Sequence, residues 1–165
     1  MKFIFSFLAI FMLTESCNSN KQAVTNTATL EESANVEDRL AMQDQDVTIS
    51  YRASTRGFFE VIEITGDSVS FTKDYNLKNI DKAALPQEEK ADIINVLNKI
   101  DIYTLTELEP PSKTHQYDAA PAAFLKITRG DAEFMTPSFD HGKPPKAISD
   151  IVEKILSLKT LFEKP

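Results

Sequence analysis

The sequence predicts an α+β fold: two layers, with an antiparallel sheet of about five strands and two helices on one face. Three observations lead there. Phe58–Lys73 reads as a β-hairpin about Gly66-Asp67, Ala122–Thr136 repeats that pattern about Gly130-Asp131, and an amphipathic helical pattern follows each hairpin.

Taken in order, Val47–Tyr51 alternates as a first strand, and Ala53–Gly57 is expected to turn the chain. Counting outward from Gly66-Asp67, Ile64 faces Val69 and Ile62 faces Phe71, while Glu63 meets Ser70 on the other side. Glu60 falls on the same side as Ile62 and Ile64. It is expected either at the sheet margin, paired with Lys73, or beside a bulge near Gly57. An irregular stretch then reaches Pro86, which suits a first helical position, with Glu88 and Glu89 complementing the helix start. Ile93, Val96, Leu97 and Ile100 recur at helical spacing, so a helix is expected over 86–100.

Ile102–Leu108 closes that half, and Pro110-Pro111 stiffens the passage into the next. Ala122–Thr128 and Glu133–Thr136 form the second hairpin, in which Ile127 and Phe134 flank the turn. Pro137 stops regular pairing or marks an edge. Pro144-Pro145 opens the last helix, whose stripe is Ile148, Ile151, Val152, Ile155, Leu158 and Phe162.

The chain of 165 residues has room for one such domain, over 47–165, and the N-terminal part reads differently. Met1-Lys2 gives a short positive start and Phe3–Leu13 is an apolar run broken only by Ser6, too short for a membrane-spanning helix but suited to a secretory signal. Cys17, the only cysteine, follows in Leu13-Thr14-Glu15-Ser16-Cys17. This stretch resembles the lipobox of bacterial lipoproteins, with Thr14 where the family usually carries Leu. The resemblance implies a signal peptide over 1–16, cleavage before Cys17 and acylation of its thiol, palmitate included. The other readings are a signal removed elsewhere and a cysteine unrelated to processing. Asn18 is not the Asp of inner-membrane retention, and no acidic cluster of the surface-display kind follows. The expected address is therefore the outer membrane, facing the periplasm.

Residues 17–46 are polar and poor in large apolar side chains, which is the composition of a disordered or weakly helical spacer. Residues 18–46 carry two bases against six acids, and 47–165 carry fifteen against eighteen, so the excess of negative charge is concentrated in the tether. A net charge of −7 without a Lys/Arg run excludes nucleic acid as an expected partner. A lone cysteine allows no intramolecular disulfide and no cysteine-based metal cluster.

The hairpin–helix repeat, with the wording RGFFEVIEIT, YDAAPAAFLKI and PSFDHGKPP, resembles small uncharacterised lipoproteins of the Bacteroidota over most of residues 47–160. That resemblance implies fold and location. It carries no catalytic or binding residue.

Chemistry has few places to reside. His115 and His141 are the only histidines, each in a loop beside a carboxylate, Asp118 and Asp140. Were the two loops to meet, these four could form a metal site, although none has the helical spacing of a metal motif. The bland reading makes Asp140 a cap and His141 a solvated loop residue. There is no GxSxG elbow and no glycine-rich phosphate loop, and Ser138 is merely close in sequence to His141. No cofactor is expected. The expectation is a non-catalytic, lipid-anchored binding or interaction module. A small metal-dependent or hydrolytic enzyme built on His115, Asp118, Asp140 and His141 is the alternative. The expected partner surface is the sheet face turned away from the helices, carrying Phe59, Val61, Phe124 and Met135. Loop 74–85, loop 109–121 or the tether could equally cover it.

Overall fold

The computed structural model describes residues 47–117 and 119–163. The signal segment, Cys17, the tether and Asp118 lie outside the described residues. One antiparallel sheet organises the rest. Its strands are β1 (Val47–Thr55), β2 (Phe58–Thr65), β3 (Ser68–Thr72), β4 (Asp81–Ala84), β5 (Ala122–Arg129), β6 (Ala132–Met135) and β7 (Phe139–Asp140). They lie in the order β4-β3-β2-β1-β5-β6, with β7 also paired to β5. The α+β class and both hairpin registers agree with the sequence: Ile64 pairs with Val69, Ile62 with Phe71 and Ile127 with Phe134.

Seven strands form rather than about five. The two additions, β4 and β7, are short edge pieces without alternation of their own, held by their neighbours' ladders. β1 runs on to Thr55, so only Arg56-Gly57 turns the chain, with Gly57 at φ +90° where a side chain would be strained. The register from Thr48–Thr65 to Thr55–Phe58 is unbroken, and no bulge occurs near Gly57. Glu60 therefore does face the helices.

Period-two alternation buries one side of each central strand. Ile49, Tyr51, Ile62, Ile64, Val69, Phe71, Leu125 and Ile127 share one core with Ile93 and Leu97 of helix α1 (Gln87–Leu97). The same core takes in Ile151, Val152 and Ile155 of helix α2 (Ser149–Ser157). 3₁₀ turns extend this layer at Ile102–Glu107, Lys146–Ile148 and Leu158–Phe162, and Lys154 of α2 reaches Asp92 of α1 at 2.6 Å. Ile151 has no exposed surface, so Ile151→Ala should lower unfolding free energy by about 2–5 kcal/mol. Urea titration should show the lower midpoint with an unchanged slope.

β6 and β7 are one edge strand interrupted once. Lys126 pairs with Met135 whereas Ala123 pairs with Phe139, so three steps along β5 match four along its partner. Pro137 and Ser138 therefore bulge opposite Phe124. The Thr136 amide donates to Leu125 O at 3.0 Å, and Thr136 Oγ1 accepts the Leu125 amide at 3.1 Å. The threonine side chain thus completes the ladder beside a proline that has no N–H to give.

Candidate functional site

The sheet's outer face is open along its middle. Its β1 residues Ser50, Arg52 and Ser54 form a polar stripe, with Val61 and Glu63 of β2 on one bank. Phe124 and Lys126 of β5 and Met135 of β6 form the other bank. With Leu77 they line a groove of about 470 Å3. Val61 and Phe124 are half-buried and Met135 is 50% exposed.

Phe59 requires a correction. It shares that face but is only 8% exposed, because Tyr75 packs edge-on at 5.3 Å and the Arg52 guanidinium lies 5.1 Å from its ring centroid. It forms a floor beneath Tyr75 and Arg52 instead of a contact surface. The covering loop is built around Asp74, whose carboxylate accepts the backbone amides of Asn76, Lys78 and Asn79 and the Asn79 side-chain amide. Those amides, chief among them that of Asn76, hold the Asp74 carboxyl below its ordinary range. The loop also carries Leu77 at φ +55°, a conformation a leucine adopts only when its surroundings impose it.

His115, Asp140 and His141 do not form one centre. Asp140 and His141 are consecutive at the end of an extended strand, so their side chains leave on opposite faces. Asp140 turns outward to the 3₁₀ turn Thr114–Tyr117, and His141 turns inward to Tyr51, Phe58 and Glu60. No group of three or more metal-ligating side chains occurs among the described residues. The expected meeting of all four residues is corrected in one respect: His141 belongs to a cluster separate from His115 and Asp140, while Asp118 lies outside the described residues.

That inner cluster resolves the Glu60 question. Glu60 is 2% exposed, and both its oxygens lie 3.1 Å from Lys159 Nζ, so Lys159, not Lys73, is its partner. The inner row across the sheet is Phe139, Ala123, Ala53 and Glu60, with two small residues at its centre. His141 Nε2 stands 3.6 Å from Glu60 Oε1, and Tyr51 OH lies 2.7 Å from His141 Nδ1. Burial first, with Glu60 adding and the Gly142 amide opposing, pushes the Tyr51 phenol well above its ordinary range. It therefore keeps its proton and donates to Nδ1. Burial, with Lys159 assisting against Glu60, depresses the His141 pKa.

The outer cluster is tighter. Asp140 is 1% exposed and accepts five hydrogen bonds. They come from Ser112 Oγ, the Thr114 amide (3.1 Å) and hydroxyl (2.6 Å), and the His115 amide (2.7 Å) and Nδ1 (2.6 Å). Burial alone would raise its pKa, but the donors from Ser112, Thr114 and His115 outweigh it and hold the carboxyl ionised far into acid. His115, its side chain 5% exposed, places Nε2 3.0 Å from Ser138 Oγ. Ser138 is half-buried on the bulge.

Sequence reasoning named His115 and Asp140 but set Ser138 beside His141, its neighbour along the chain, whereas it pairs with His115. The available signal was Ser138-Phe139-Asp140: on a strand, residues two apart share a face. Taking Pro137 as the strand's end concealed it. No family model and no curated protein matches this chain.

Proposed function

We propose that the chain is a lipid-anchored envelope protein whose domain binds a small amphipathic ligand on the outer sheet face. Attachment at Cys17 and a periplasm-facing place in the outer membrane follow from the lipobox-like segment and the resemblance to Bacteroidota lipoproteins. The observation that carries the binding reading is the groove. At about 470 Å3 it is of a size that takes small molecules, and its banks set the apolar Val61, Phe124 and Met135 beside the charged Glu63 and Lys126. Among the described residues no carboxylate lies within ion-pair distance of Arg52, whereas Lys126 is engaged by Glu133 at 3.0 Å. The ligand that fits has an elongated apolar body and one acidic group received by Arg52.

A fluorescent long-chain carboxylate is a suitable probe. Arg52→Ala should weaken its binding about tenfold while leaving the matching neutral alcohol unaffected. Phe124→Asp should abolish binding of both with little change in melting temperature. Equal affinity of wild type and both variants would overturn the binding reading. The anchoring reading has its own test, since Cys17→Ser should move the protein from the membrane fraction to the soluble fraction. A mature wild-type protein with an unmodified thiol at Cys17 would overturn it.

A further inference from the structure

We propose that Ser138 is a nucleophile served by His115 and Asp140, and that it cleaves carboxylic esters. The relay is continuous: Ser138 Oγ to His115 Nε2 at 3.0 Å, then His115 Nδ1 to Asp140 Oδ1 at 2.6 Å. An ionised Asp140 accepts the Nδ1 proton, so the ring in its neutral form presents an unprotonated Nε2 to the serine, as a general base must. Four further hydrogen bonds hold the carboxylate in place, which fixes the imidazole plane.

Fastening the 109–121 loop to the sheet edge accounts for the contacts from Ser112, Thr114 and the His115 amide. It does not require the imidazole to reach the serine. The serine also stands where a substrate can approach it, half-buried on an edge-strand bulge. Phe124, opposite that bulge, is part of the groove wall.

The step balances with water as the only co-reactant. Ser138 Oγ attacks the ester carbonyl carbon while its proton passes to His115 Nε2. The tetrahedral adduct collapses, the C–O bond to the alcohol breaks, and the imidazolium returns the proton to the departing oxygen. Water, deprotonated by His115, then attacks the acyl-serine, releasing the carboxylic acid and restoring the serine hydroxyl. This activity goes beyond a binding role and does not depend on the groove, because a small aryl ester needs none.

The full chain, in detergent, should be treated with a short fluorophosphonate and assayed with p-nitrophenyl acetate. The expected result is a single label on the peptide carrying Ser138, lost on heat unfolding and absent from Ser138→Ala. Hydrolysis above background should fall about a hundredfold or more in Ser138→Ala and in His115→Gln. Ser138→Ala removes no donor to Asp140, so its melting temperature should stay at the wild-type value and a loss of rate cannot be attributed to unfolding. Wild-type protein that takes no label, or a Ser138→Ala variant that hydrolyses the ester at the wild-type rate, would overturn the proposal. Fatty-acid probe binding lost together with intact labelling would remove the groove reading alone.

Discussion

Lys159→Met should lower the unfolding free energy by about 2–3 kcal/mol at pH 8, below the cost of breaking a fully buried pair because the lysine is partly solvated. The lysine side chain is 29% exposed and the Glu60 side chain 3%, so the two ends of the pair are not equivalent. Without Glu60, Lys159 can reach water. Without Lys159, the carboxylate stays on the inner sheet face beside Ala53 with no full countercharge. Glu60→Gln should therefore cost clearly less than Lys159→Met, and urea titration of the two variants checks the order. Equal costs would mean that the pair acts as an exposed surface contact.

The same variant carries a pH signature. Tyr51, Glu60 and Lys159 are the titratable and charged groups facing His141. Because the folded pKa of His141 is depressed, the unfolded chain takes up the proton first as pH falls below the ordinary imidazole value of about 6.5. Wild-type stability from this group is thus complete above about pH 6.5 and declines as pH drops toward the folded pKa. Removing Lys159 removes one cause of the depression and leaves Glu60 to attract the imidazolium. The gap between wild type and Lys159→Met should narrow between about pH 8 and pH 5. A gap constant across that range would show that His141 does not respond to this pair.

Asp140→Asn should free the loop at 109–121, although asparagine has nearly the same shape. Five donors converge on two oxygens, and only an ionised carboxylate accepts at both. The amide NH2 of asparagine would face another donor whichever way it turned. The Thr114 and His115 amides should then exchange about a hundredfold faster, while exchange in β1 and β5 changes little. Protection retained at those two amides would show that the loop is held by other contacts. With the folded pKa of Asp140 depressed, the group's contribution is present above the ordinary carboxylate value and is lost only as pH falls below about 3.9. Wild-type loop protection should therefore persist through mild acid.

Both clusters show what a one-dimensional reading reaches. The hairpins about Gly66 and Gly130, the stripes of α1 and α2, and the inward set from Ile62 to Ile127 all follow from periods of two and 3.6 residues. The same count puts Val61, Phe124 and Met135 on the outer face, and they line the groove. Phe59 obeyed the count too. What buries it is Tyr75, in a loop whose path depends on the bonds gathered by Asp74 and has no period. Glu60 is out of place by that count, but its partner lies 99 residues away at the far end of the chain.

By itself, then, the sequence determined the α+β class, the two faces of the sheet, both helices and the outward direction of all four expected surface residues, though not that Tyr75 covers one of them. Those properties arise from neighbours along the chain, whose spacing sets which side each residue takes. Only the tertiary structure decided that β1 lies between β2 and β5, that His115 reaches across 25 residues to Asp140, and that Asp140 and His141 serve opposite faces. Such pairings are set by which distant strands and loops bury one another's surfaces and satisfy one another's hydrogen bonds, a choice that no local spacing encodes.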